Sequence, residues 1–254
     1  MGTRLKDKVC IITGAASGIG QRGAELFCEQ GAKVVACDVN MEAMRGVADA
    51  IAASGGQITV APVSDLTDPA QCSRLVSFAE ETHGGFDVLF NNAARAYFAF
   101  MEEITTELWD RTIRDELHIA FYMCHAAWPA MIRRGGGSIV NVGSLAAHRA
   151  TTAVGNVAHM AAKAGVVAMT KQMAVEGGKH GIRVNSFSPG PTATPQTAWL
   201  LDTDEYKKIA GSFLVLGRVG QPIDMANYAL FLASDESAWI TGTDLLIDGG
   251  HATI

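Results

Sequence analysis

The apolar run Lys8-Val9-Cys10-Ile11-Ile12 leads directly into Thr13-Gly14-Ala15-Ala16-Ser17-Gly18-Ile19-Gly20, and a helical pattern then continues to Gln30. No other stretch constrains the chain so tightly. A short apolar run without polar alternation reads as a strand buried on both faces, which requires helices above and below a parallel sheet. Glycines between strand and helix let the backbone turn sharply, come close to a bound group and pack helix on strand. The helix N-terminus adds free N–H groups and positive dipole charge. Together these features describe a site for a pyrophosphate.

The same alternation recurs along the chain. Further strands are expected over 33–37, 58–63, 86–90, 138–142, 183–188 and 244–247, and helices over 41–53, 69–82, about 104–134, about 154–179 and 223–232. The expected fold class is α/β: a Rossmann-type, doubly wound parallel sheet of about seven strands with helices on both faces, in a single domain over 1–254. Residues 191–217 lack clear periodicity and are expected to form a substrate lid.

The chain has 254 residues, of which 48% are hydrophobic and 18% charged, enough apolar surface for a large core. Its net charge is -6 with no Lys/Arg run, which argues against a nucleic-acid or anionic-membrane surface. No stretch approaches the roughly 20 apolar residues of a membrane span. The first eight residues do not resemble a secretory leader, so the cytoplasm is the expected location. Cys10, Cys28, Cys37, Cys72 and Cys124 show no metal-ligand spacing, so neither a disulfide framework nor a metal site is expected.

Asp38 closes the second predicted strand. Its carboxylate can accept hydrogen bonds from ribose hydroxyls and repels a 2′-phosphate, and no Arg or Lys lies in the glycine loop, so the expected cofactor is NAD. The glycine spacing is G-x-x-x-G-x-G. In this it resembles the short-chain dehydrogenase/reductase family, and the resemblance extends over nearly the whole chain. Asp65-Leu66, Phe90-Asn91-Asn92-Ala93-Ala94, Asn141-Val142-Gly143-Ser144, Arg183-Val184-Asn185, Pro189-Gly190, Thr194-Pro195 and Asp248-Gly249-Gly250 follow in the family's order, with Ala94 where glycine is usual. The resemblance implies that NAD is held by Gly14, Ser17, Gly18, Ile19, Gly20, Asp38, Asp65, Leu66, Asn92, Ala93, Lys163, Pro189, Gly190, Thr192 and Thr194. It also implies a homo-oligomer, either tetramer or dimer, and the small-residue segment Ala161 to Gly165 suits close helix packing between subunits.

The family's catalytic set is an Asn, a Ser and a Tyr-x-x-x-Lys pair. Ser144 and Lys163 match it, but His159 stands at the tyrosine position and Glu116 at the asparagine position. The four tyrosines, Tyr97, Tyr122, Tyr206 and Tyr228, all lie outside the segment from Ser144 to Lys163. Three readings follow. In the first, the chain is an NAD-dependent oxidoreductase interconverting a secondary alcohol and a ketone, with His159 as acid/base. In the second, His159 serves as base for a lyase or isomerase. Ser144, His159 and Glu116 could then form a Ser-His-carboxylate set, although no G-x-S-x-G elbow supports a hydrolase. In the third, the chain is an NAD-binding scaffold with weak or no activity.

Segments 95–101, 145–157 and 191–216 are expected to face a small-molecule substrate. Their Tyr97, Phe98, Phe100, Trp199, Leu200, Leu201, Phe213 and Leu214 suggest an apolar or cyclic alcohol, with Arg95, His148 and Arg149 as polar exceptions.

Overall fold

A computed structural model describes residues 2–63, 65–204, 206 and 212–254. Strands β1 (Val9–Thr13), β2 (Lys33–Cys37), β3 (Gln57–Val60), β4 (Val88–Asn91), β5 (Gly137–Val142), β6 (Ile182–Pro189) and β7 (Asp244–Ile247) form one parallel sheet in the order β3-β2-β1-β4-β5-β6-β7. Alternate residues of a strand point to opposite faces. Cys10 and Ile12 of β1 join Phe27, Phe90 and Leu230 on one face; Val9 and Ile11 join Leu75, Leu89 and Met123 on the other. Both sets are apolar, so both faces need helices. The first face is covered by α1 (Gly18–Glu29), α2 (Met41–Ala53) and α8 (Pro222–Ala233), and the second by α3 (Pro69–His83), α5 (Ile119–Arg134) and α6 (Val157–Gly177). Burying each large side chain in these layers contributes roughly 1.5–3 kcal/mol.

The expected helix over about 104–134 is three pieces. Thr105 caps α4 (Thr106–Ile113) by accepting the Leu108 N–H at 3.2 Å, a π-helical turn covers Arg114–His118, and α5 follows. The helix expected from about 154 begins at Val157, because residues 152–154 form bends and Asn156 bridges to Ala99. β3 stops at Val60, three residues early, after which Ala61 and Val63 turn into the core. Of the segment expected as a lid, residues 205 and 207–211 lie outside the described residues; the rest includes a short helix α7 (Ala198–Leu201).

The five cysteines are free and buried, and burial pushes the Cys37 and Cys124 thiols up to about 12, leaving them inert. Among the described residues no helix is long and apolar enough to cross a membrane. Gly165 meets Leu117 of the same chain, where an added Cβ would lie 3.0 Å from both methyls, so part of the small-residue segment serves intrachain packing.

β1 has β2 on one side and β4 on the other, so the chain's crossovers reverse direction there and leave a crevice beyond the carboxyl ends of the strands. A cavity of about 1110 Å³ occupies it.

Candidate active site

The loop from Gly14 to Gly20 forms one wall of the cavity. Gly14 and Gly18 have φ +66° and +56°, the left-handed region that glycine adopts without strain. The post-β4 turn is stitched to this loop. Thr13 Oγ1 accepts the Asn92 and Ala93 N–H groups at 3.0 and 2.9 Å, and the Asn92 side-chain amide donates to the carbonyls of Thr13 and Gly14 at 3.0 and 3.1 Å. An added Cβ on Gly14 would lie 2.8 Å from Ala93 Cα. Ser17 makes no side-chain cap on α1, whose first turn carries no acidic residue, so its N–H groups remain available to an anion. At the far end, Asp38 accepts the Ala16 N–H at 3.0 Å and the Asn40 N–H at 2.8 Å, which fixes its carboxylate at the cavity edge.

All the residues expected to hold the cofactor line this cavity except Gly20. Gly20 instead permits packing: a Cβ there would lie 2.1 Å from the Gly14 carbonyl oxygen. Asp65 and Leu66 come from the loop after β3, Lys163 from α6, and Pro189, Gly190, Thr192 and Thr194 from the end of β6 and beyond.

The four expected catalytic positions converge at the other end. Ser144 follows β5, His159 and Lys163 lie one turn apart on α6, and Glu116 sits in the π-helical turn. That turn buries both Asp115 and Glu116 although they are adjacent, and the Asp115 carbonyl accepts the Arg95 N–H at 3.2 Å. Single π-turns inside helices recur at functional sites. Behind the site, the Asn91 amide donates to the Ala120 carbonyl at 2.9 Å and to Asn141 Oδ1 at 3.2 Å, and Asn141 donates to Thr170 at 2.9 Å. This buried amide pair ties β4, β5, α5 and α6 into one frame.

Within the frame, His159 Nδ1 lies 2.7 and 2.9 Å from the two oxygens of Glu116, and His159 Nε2 lies 3.1 Å from Ser144 Oγ. The Glu116 side chain is 1% exposed. Lys163 Nζ stands 3.9 Å from Glu116 Oε1 and donates to the Val142 carbonyl at 3.0 Å. Burial holds the Lys163 ammonium below its ordinary pKa, and the Glu116 charge opposes that fall. An ionised carboxylate can only accept, so Nδ1 carries a proton. In the neutral imidazole Nε2 is then an acceptor facing the Ser144 hydroxyl and the cavity.

No phenol replaces the missing tyrosine. Tyr97 lines the cavity, but its hydroxyl donates to Asp115 at 2.9 Å, and burial together with that bond raises its pKa. Sequence reasoning missed the surrounding cluster. Arg111 stacks over the Tyr97 ring at 4.2 Å, Arg95 lies 5.4 Å from its centre, and Arg114 pairs with Asp115 at 2.8 Å. The i, i+3, i+4 spacing of Arg111, Arg114 and Asp115 was the available signal.

The apolar wall is smaller than expected. Phe98 packs edge-on to His159 at 5.7 Å and beside Trp199 at 5.9 Å, and Leu200 and Val154 complete it. Leu201 and Leu214 are buried elsewhere, and Phe213 stacks on His251 at 4.6 Å. His148 and Arg149 do not line the cavity. His148 pairs with Asp244 at 2.8 Å, and Arg149 donates to the carbonyls of His251 and Ile254.

A family profile described as enoyl-(acyl carrier protein) reductase matches residues 14–252. A 2,5-dichloro-2,5-cyclohexadiene-1,4-diol dehydrogenase of Sphingobium indicum is 41% identical over 250 residues, 98% of each chain. A cyclohexanol dehydrogenase of Acinetobacter sp. is 36% identical over 255 residues, covering 100% of this chain and 98% of its own. Among solved structures, 7α-hydroxysteroid dehydrogenase complexed with NADH and 7-oxoglycochenodeoxycholic acid superposes with a TM-score of 0.92 at 32% identity, covering 97% of this chain and 95% of its own. The chain belongs to the short-chain dehydrogenase/reductase family and is an alcohol/ketone oxidoreductase of that type. Enzymes of this family use nicotinamide cofactors.

Proposed function

We propose that this chain is an NAD-dependent dehydrogenase interconverting an apolar or cyclic secondary alcohol and its ketone, with Ser144, His159, Lys163 and Glu116 as its catalytic set. One observation carries the reading. The imidazole of His159 is held by a buried carboxylate on one nitrogen and presents the other to Ser144 Oγ, 3.1 Å away, inside the cavity.

The residues present fit a dinucleotide. The glycine loop leaves no room for a Cβ at Gly14, the first turn of α1 has no acidic residue, and Lys163 lies at the catalytic end. Gly14, Ser17, Gly18, Ile19, Asn92 and Ala93 would hold the pyrophosphate half, and Pro189, Gly190, Thr192, Thr194 and Lys163 the nicotinamide half. Asp65 and Leu66 would flank the adenine, and the fixed Asp38 carboxylate favours NAD over NADP. A nicotinamide held there would supply the hydride acceptor for alcohol oxidation and the hydride donor for ketone reduction.

The protein's own part is proton handling. Ser144 and His159 Nε2 together hold the substrate oxygen. In oxidation Nε2 takes the hydroxyl proton, and in reduction it gives one to the carbonyl oxygen. Glu116 is a positioning residue: its hold on Nδ1 sets the tautomer and stabilises the imidazolium once formed. The Lys163 charge balances Glu116 in the buried site. Phe98, Val154, Trp199 and Leu200 give the substrate an apolar wall. The ring substrates named for two relatives support a cyclic alcohol here. Five reduced, buried cysteines are consistent with the cytoplasm, and a dimer or tetramer remains the proposed assembly.

The test is NADH formation from a panel of cyclic secondary alcohols. His159→Ala should lower kcat by about 10²–10⁴, the usual worth of a positioned acid/base. Unchanged turnover would remove His159 from the mechanism.

A further inference from the structure

We propose that Ser144 is also a nucleophile: Ser144, His159 and Glu116 form a hydroxyl–imidazole–carboxylate relay that hydrolyses small apolar esters through an acyl-serine, without the dinucleotide. Such relays are recognised by geometry and roles, and they recur in unrelated folds and chain orders.

The three groups stand in the required sequence. Ser144 Oγ is 3.1 Å from Nε2, and Nδ1 is 2.7 Å from Glu116 Oε2. The carboxylate is buried, with 1% of its side chain exposed, whereas Ser144 and His159 open onto the cavity. The hydroxyl therefore has a base with the right tautomer and space for an incoming carbonyl. The wall of Phe98, Val154, Trp199 and Leu200 suits an alkyl or aryl acyl group. The cysteines are all buried, so they do not compete as nucleophiles. The strand-to-helix elbow that usually displays such a serine is absent. Here the turn at Leu145–Ala147 after β5 displays it, and Ala146 N–H donates to Oγ at 3.1 Å. That bond tempers the nucleophile, so acylation is expected to be slow and stoichiometric before it is catalytic.

In the first half-reaction Ser144 Oγ bonds to the ester carbonyl carbon while its proton passes to His159 Nε2. The bond to the leaving alkoxide then breaks, and the alcohol departs with that proton. In the second half-reaction water adds to the acyl carbon and gives a proton to Nε2. The carboxylic acid leaves, and Ser144 recovers its hydroxyl proton.

The test uses the full-length protein without cofactor, treated with an alkyl fluorophosphonate and separately with 4-nitrophenyl butyrate, followed by intact-mass and peptide analysis. One equivalent of adduct on Ser144 is expected, with release of fluoride or nitrophenolate. Ser144→Ala should remove the adduct, and His159→Asn and Glu116→Gln should slow it by at least about 100-fold. No adduct, an adduct on His159 or Lys163 instead, or unchanged labelling of Ser144 in His159→Asn would overturn the proposal. The position of the wild-type adduct decides even if a variant fails to fold. Redox turnover is read separately by NADH absorbance, so an active dehydrogenase without the adduct refutes this inference alone.

Discussion

Replacing Glu116 by glutamine keeps the side chain's shape and removes one buried charge, and the structure sets the size of the effect. Glu116 and Lys163 stand 3.9 Å apart, with side chains 1% and 6% exposed. A pair at that distance is worth about 4 kcal/mol at an effective dielectric near 20. Removing one partner of a buried pair typically costs about 3–5 kcal/mol, because the other charge is left uncompensated. Lys163 can shed part of that penalty by losing its proton, since burial already holds its pKa low and only Glu116 supports it. A loss of about 3 kcal/mol is therefore expected, which lowers the Tm by roughly 6–12 °C in a chain of this size.

The pH dependence follows in sign. Lys163 binds its proton less tightly in the folded state, so between its folded pKa and the ordinary value of 10.5 the unfolded chain carries more protons. Stability from this group rises with pH across that window, is complete above it, and is lost as pH falls through the folded pKa. Glu116→Gln should widen the window downward. Catalysis should suffer more than stability. A carboxamide can donate to Nδ1, which moves the imidazole proton to Nε2 and removes the acceptor facing the substrate. A fall in kcat of about 10²–10⁴ is expected with NADH binding largely retained. The assays are urea unfolding from pH 7 to 10.5, steady-state oxidation of a cyclic alcohol, and NADH fluorescence titration. A folded Glu116→Gln protein with wild-type kcat would refute the assigned role of the carboxylate.

Asp38→Ser removes the carboxylate proposed to favour ribose hydroxyls over a 2′-phosphate. The NAD:NADP ratio of kcat/KM should fall by about tenfold or more, the worth of one charge-assisted bond; an unchanged ratio places cofactor choice elsewhere. Gly20→Ala sets a Cβ 2.1 Å from the Gly14 carbonyl oxygen and 2.4 Å from Asn92 Nδ2. Overpacking of this kind costs about 1–3 kcal/mol, so thermal melts and NADH titration should both report a loss. His159→Tyr should reduce turnover, because the phenol would face the Glu116 carboxylate, whose charge disfavours its ionised form. Adding Glu116→Asn should recover part of the loss, and strictly additive effects in the kinetic cycle would show that the two positions act independently.

The sheet was legible because every strand except the edge strand β3 carries apolar residues on both faces, and several helices begin or end on a readable signal. Ser17-Gly18, Pro69 and Gly84 are examples. The glycine loop was legible for the same reason, since positive φ at Gly14 and Gly18 restricts the choice of residue. The π-helical turn was not. Its sequence, Arg-Asp-Glu-Leu-His, forms an ordinary helix equally well, and the extra residue is fixed only by tertiary bonds such as that from Arg95 N–H to the Asp115 carbonyl. The fates of His148, Arg149 and Phe213 were hidden likewise, because their partners Asp244, Ile254 and His251 lie about 40 to 105 residues away. Local pattern identified the loops near the cavity without showing which side chains enter it.

His159 and Glu116 are two departures from the family pattern but one physical device. A glutamate buried to 1% exposure needs compensation, and Lys163 Nζ at 3.9 Å together with the His159 Nδ1–H donor, its nitrogen 2.7 Å away, supplies it. An imidazole in place of a phenol needs something to choose its tautomer, and Glu116 does that through both oxygens. Neither change is comfortable alone. Histidine beside an asparagine could present either nitrogen, and glutamate beside a tyrosine would suppress the phenolate. The turn at Arg114–His118 brings the carboxylate inward, and the Asn91–Asn141 pair holds α5 and α6 at the separation the contact requires. On the proposed reading the site is a self-consistent histidine-centred acid/base, in which an imidazole acceptor at Nε2 serves without first generating a phenolate.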